Sequence, residues 1–90
     1  MNEKEVTVLN DDEIVQLYFE RSEESIAQSE EKYGRLCRSV IRRILPDERD
    51  AEECLSDLWV RVWNSIPPER PRALGAFLAR IARNLALDRL

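Results

Sequence analysis

The sequence predicts an all-α fold, a small bundle of three main helices with a short N-terminal helix before them. Apolar residues recur at steps of three, four and seven along four successive segments. With two glycines and four prolines in 90 residues, the chain lacks the punctuation of a turn-rich β protein. Three of those prolines fall together in "IPPERPR", residues 66–72, so the main chain-breaking signal lies between segments. A chain of this length forms one domain that buries about 60% of its unfolded surface, and a 43% apolar content suffices for its core.

Residues 1–10 read as a flexible N-terminal tail and 11–90 as the domain. The first helix starts at Asn10, with Glu13 three residues on in a capping layout, and Ile14, Val15, Tyr18 and Phe19 supply its apolar side. Ser22 is the expected cap of the second helix, with Glu23 and Glu24 in the first turn. That helix carries Ile26, Tyr33, Cys37, Val40, Ile41 and Ile44 on one side and stops at Pro46. Gly34 weakens it by about 1 kcal/mol relative to alanine, so a close contact or an irregularity is expected there.

Asp50 is the expected start of the third helix, with Glu53 at the capping-box position. At about 100° per residue, Ala51, Leu55, Leu58 and Val62 share a stripe flanked by Trp59 and Trp63, and Glu53, Asp57, Val60 and Asn64 point away from it. The stiff loop 66–72 follows. The last helix, from about 73, puts Leu74, Phe77, Leu78, Ile81 and Leu85 on one side and Arg80, Arg83, Asn84 and Leu87 on the other.

The formal charge of −4 is unevenly spread. Residues 1–31 hold ten acids against Lys4 and Arg21, whereas from Arg70 onward five arginines face only Asp88. Local charge governs local binding, so a polyanion remains an admissible partner although broad coating of DNA is disfavoured. Cys37 and Cys54 stand 17 residues apart with no histidine anywhere, which rules out a zinc set and reads as two reduced, buried thiols. The same lack removes the usual nucleophile–base pairs, and no glycine-rich phosphate cradle is present. An enzyme, a metal centre and a cofactor are therefore not expected. No long apolar run or signal layout occurs, so the expected location is the cytoplasm, away from membrane.

The segment "DAEECLSDLWVRVWNSI" followed by "FLARIARNLALDRL", led in by "YFERSEESIAQSEEKYGRLCRSVIRRILPDERDAEE", resembles the region 2 domain of bacterial extracytoplasmic-function (ECF) sigma factors. Members typically read DAEDLVQE, an aromatic-rich helix end, a proline-bearing loop and then an RIARNLAIDRLR-like helix. The resemblance spans residues 11–90. It implies a transcription initiation factor that docks on the β′ clamp helices of RNA polymerase and captures the −10 promoter element as melted, single-stranded non-template DNA. The polymerase-facing positions it implies are Glu53, Ser56 and Asp57, with Val60 on the same outward strip. Ser56 replaces the glutamine common in the family and has a shorter reach.

On the DNA side, the resemblance makes the loop 65–75 the base-reading loop and matches the family's "RN" to Arg83 and Asn84. Arg80 joins them on the outward face of the helix. Arginine pairs with phosphate or stacks on bases, and asparagine offers a donor and an acceptor to a base edge. Arg70 and Arg72 on the loop either meet phosphates or keep it soluble. Phe77, Trp59 and Trp63 read as core or core edge. ECF factors usually carry a second domain, region 4, which the 90 residues do not include. The alternative is a helical interaction module held by a regulatory, anti-sigma-like partner with no DNA activity of its own.

Overall fold

The computed structural model describes residues 9–90, and four helices account for most of them: α1 (Asp11–Phe19), α2 (Glu24–Ile44), α3 (Glu48–Ser65) and α4 (Leu74–Asp88). Residues 1–8 of the expected tail lie outside the described residues. Of its last two, Leu9 packs against the core and Asn10 caps α1. The cap is the expected reciprocal box: the Glu13 amide donates to Asn10 Oδ1, and the Asn10 amide donates to Glu13 Oε1, both at 2.8 Å.

Two helix starts differ from expectation. Ser22 does not cap α2 in the expected way: Glu23 occupies the cap position without a side-chain bond, and Ser22 Oγ accepts only from the Glu24 amide, at 3.3 Å. The α3 helix begins at Glu48 rather than Asp50, because Asp47 takes the cap and its carboxylate accepts from the Asp50 amide at 3.1 Å. The earlier cap adds hydrogen-bonded backbone and leaves Glu53 free of a capping role.

α4 packs against both α2 and α3, and α1 rests on α2. The core gathers Ile14, Val15 and Tyr18 of α1, Cys37 and Ile41 of α2, Leu58 and Val62 of α3, and Leu74, Leu78, Ala82 and Ala86 of α4. The alanines, not Phe77 or Ile81, complete the buried stripe of α4, and small side chains there admit close helix approach. Ser25 and Ser29 are also fully buried. Ser29 Oγ donates to the Ser25 carbonyl, so the Tyr18 hydroxyl, 2.7 Å away, donates to Ser29. That pairing satisfies polar atoms which burial would otherwise penalise.

Gly34 has open space where a Cβ would stand, so the expected close contact is not there. It is at Gly75, where an added Cβ would come within 2.8 Å of the Tyr33 ring. That ring is held in turn: the Tyr33 hydroxyl donates to the Asp11 carboxylate, whose oxygens lie 2.8 and 2.9 Å away, and Lys32 Nζ reaches the same carboxylate at 2.7 Å. Burial would raise the pKa of Asp11, but the hydrogen bonds from Lys32 and Tyr33 and the lysine charge outweigh it and hold the carboxyl low. Burial and the same bond push the Tyr33 hydroxyl up to about 12. Both thiols are free and buried, and burial pushes Cys37 up to about 11, which suits an inert apolar residue.

Candidate nucleic-acid and protein interface

α3 and α4 flank the proline loop and pack against each other, and each buries one stripe and exposes another. On α3, burying Ala51, Cys54, Leu58 and Val62 leaves Glu53, Ser56, Asp57 and Val60 exposed, so all four expected polymerase-facing residues share one outward strip. Val60 retains 62% of its accessible surface, unusual for an aliphatic side chain of a helix that otherwise hides its apolar residues. The strip continues into a groove lined by Ile26, Trp59, Val60 and Trp63, with Glu23, the cap residue of α2, and Glu30 also lining it.

On α4, burying Leu74, Leu78, Ala82 and Ala86 turns Arg80, Arg83, Asn84 and Leu87 to solvent. Arg80 and Arg83 are three residues apart on one face, where like charges repel. Neither they nor Arg72 form an ion pair among the described residues. Arg70 is exposed on the loop, but its guanidinium lies over the Phe19 ring of α1 at 4.1 Å. The ring face attracts the cation while leaving its N–H groups able to meet an anion.

Sequence reasoning missed two contacts. Arg89, just past α4, donates to Asp57 at 2.8 Å and to Glu53 at 3.3 Å, and the bond to Asp57 raises the arginine's pKa. Glu53 and Asp57 are themselves a like-charged pair four residues apart, so one guanidinium relieves their repulsion. Arg89 follows Arg83 by six positions and Arg80 by nine. At about 100° per residue it leaves the helix some 120–180° away from them. The acid strip thus meets the side of α4 turned away from Arg80 and Arg83.

The second is Arg21. Its Nη1 donates to the Trp63 and Ile66 carbonyls at 3.0 and 2.8 Å, and its guanidinium stacks 3.7 Å from the Trp63 ring centroid. Trp63 is half-buried and tilted against Tyr18, and Trp59 is buried, as core-edge residues should be. Neither arginine contact could be found by periodicity, since the partners lie 32 to 45 residues away in sequence.

No group of three or more metal-ligating side chains occurs among the described residues. None of their helices is long and apolar enough to cross a membrane. The family model for sigma-70 region 2 matches residues 31–90, which contain both exposed strips and the loop between them. No curated protein and no solved structure gives a significant match to the chain.

Proposed function

From the premise that the chain belongs to the sigma-70 region 2 family, we propose that it is an ECF-type initiation domain using its two outward strips for two different macromolecules. The family comprises transcription factor domains, not enzymes, that bind RNA polymerase core and recognise the −10 promoter element. In the reading advanced here, Glu53, Ser56, Asp57 and Val60 seat on the β′ clamp helices. Arg80, Arg83 and Asn84, with Arg70 and Arg72 of the loop, hold the −10 element as melted non-template strand.

The observation that carries this reading is the pair Arg80 and Arg83, without an ion-pair partner among the described residues, on a helix whose C-terminal cap residue, Arg89, neutralises acids on its other side. Two unpaired guanidiniums side by side are a cost to the isolated fold. A polyanion that displaces their counterions converts the cost into affinity. Unpaired bases need stacking surfaces and pockets as well as charge, and a loop stiffened by Pro67, Pro68 and Pro71 loses less entropy when it captures one. On the other strip, carboxylates beside exposed Val60 and the Trp59–Trp63 groove suit an amphipathic, basic helical partner.

Crossing two variants tests the division. Arg80→Glu with Arg83→Glu should lower affinity for a single-stranded −10-like oligonucleotide by roughly a hundredfold at low salt, since each reversal replaces an attraction by a repulsion. It should leave capture of the clamp helices intact. Asp57→Arg should do the reverse. Loss of both activities in each variant, or of neither, rules the two-strip reading out. The groove also favours a second reading, in which an anti-sigma-like helix occupies the acid strip, and binding there without any oligonucleotide affinity would select it.

A further inference from the structure

We propose that Arg21 and Phe19, at the junction of α1 and α2 and outside the matched residues 31–90, are positioning residues for the loop between α3 and α4. The inference rests on the loop's reading of DNA proposed above, and adds residues that bind nothing themselves.

The loop needs an external hold. Its prolines donate no backbone hydrogen bonds, and the last carbonyls of α3 have no intrahelical partner. The final turn of α3 carries no basic residue to satisfy them or to complement the helix dipole. Arg21 supplies both from 42 and 45 residues away, through its bonds to the Trp63 and Ile66 carbonyls. Trp63 packs under the same guanidinium, so the group is held by a ring face as well as by two acceptors.

The backbone shows that this placement is specific. Arg21 has φ 58°, the left-handed region that a side chain with a Cβ seldom occupies and that costs of itself. Backbone economy alone would favour glycine there. An arginine in that conformation directs its side chain onto the end of α3.

Two residues earlier, Phe19 receives the Arg70 guanidinium from the middle of the loop. The loop is therefore attached at its start, Ile66, and at its centre, Arg70, to one three-residue stretch of chain. One attachment would leave it free to pivot, whereas two set its orientation. Exposed Arg72 and the α4 arginines then present their donors in a fixed relation.

The test uses the full chain with Arg21→Gly, Arg21→Lys and Phe19→Leu. Glycine removes the guanidinium and relaxes the backbone, so the thermal midpoint should change little. Lysine keeps the charge but loses the planar fork, and leucine keeps bulk but loses the ring face. Affinity is measured for a labelled single-stranded −10-like oligonucleotide at low salt and for core RNA polymerase. Amide exchange is followed at Ile66 and Glu69, whose N–H groups bond Val62 and Ser65.

Arg21→Gly should weaken oligonucleotide binding roughly tenfold and speed exchange at both amides, with Phe19→Leu and Arg21→Lys intermediate and polymerase affinity unchanged. Unchanged oligonucleotide affinity overturns the positioning role, whether or not exchange quickens. So does equal loss of polymerase affinity, which would mark a general destabilisation. Arg83→Glu serves as the reference. If it too leaves oligonucleotide binding unaltered, the proposed DNA face is wrong and the positioning role falls with it; if it abolishes binding while Arg21→Gly does not, only the positioning role fails.

Discussion

The outward strips of α3 and α4 are built alike and treated oppositely. Each lies across its helix from a tightly buried stripe, and each carries a like-charged pair, Glu53 with Asp57 and Arg80 with Arg83. The acidic pair has been given a counter-ion, Arg89, whereas the basic pair has none among the described residues. Exposed charges of this kind add little to stability, so the difference is better explained by what each strip meets. A partner rich in phosphates is recognised by donors left free to bond it. A protein partner presents a few fixed cations, and a carboxylate pair held in place by a guanidinium is already oriented towards them.

The strips share one core, and the largest expected effect shows it. Leu78 lies fully buried beneath the arginine strip, and Leu58 lies in the same core beneath the acidic one. Leu78→Ala should cost about 3 kcal/mol, measured by chemical denaturation, through lost burial and a residual cavity. In so small a domain, that is a large part of the total. Near its lowered midpoint, both activities should fall together. Separate loss of DNA binding alone would mean that α4 moves independently of α3.

A smaller effect comes from the two glycines, which act in opposite senses. At Gly75 an alanine would press on the Tyr33 ring at the entry to α4, and that ring cannot swing aside without breaking its bond to Asp11. Gly75→Ala should therefore destabilise by about 1–2 kcal/mol, in the range for overpacking. At Gly34 the added methyl meets open space, and Gly34→Ala should stabilise by about 0.5–1 kcal/mol through helix propensity. Thermal midpoints moving in the same direction would refute this account of the two sites.

Tyr33 also gives a pH signature. Its folded pKa, about 12, lies above the ordinary tyrosine value of 10.0, so the contribution is fully present below pH 10 and is lost as pH rises from 10 towards 12. In that window the wild type should lose about 1–2 kcal/mol more than Tyr33→Phe, which has no hydroxyl to ionise. Asp11 has the opposite sign: its carboxyl is held low, so its share is present above the unfolded value of 3.8 and is lost as pH falls through the folded one. Parallel alkaline limbs in wild type and Tyr33→Phe would show that this clasp does not anchor α1 to α2.

Helix number, the apolar stripes and the proline break could be read from sequence because they follow from local rules. The Asn10–Glu13 box is complete within four residues. The start of α3 is not legible in the same way, because Asp47 and Asp50 are both competent caps and local chemistry does not choose between them. Ser25 and Ser29 look like surface residues until Tyr18 is brought over them. The outward positions of Glu53, Asp57, Arg80 and Arg83 follow from helical period alone. What holds those positions, Arg89 on the acids and Arg21 on the end of α3, depends on packing between distant segments, and a charged letter does not reveal its partner.

The finest distinction concerns Arg89 itself. Its bonds to Glu53 and Asp57 could orient the carboxylates for a partner or compete with that partner for them. Both carboxylates remain more than half exposed, so a cation arriving from outside can reach them without displacing Arg89 first. Orientation then dominates: Arg89→Ala frees two repelling side chains to spread over more rotamers, and polymerase affinity should fall by roughly two- to threefold. Oligonucleotide affinity should fall by less, because Arg89 leaves α4 on the side away from Arg80 and Arg83 and contributes only long-range charge. If polymerase affinity rises instead, Arg89 is a competitor, and the acid strip is masked in the free protein rather than prepared. The sign of the change at low salt separates the two cases, and at high salt either effect should shrink towards wild type, because both act through exposed charges that salt screens.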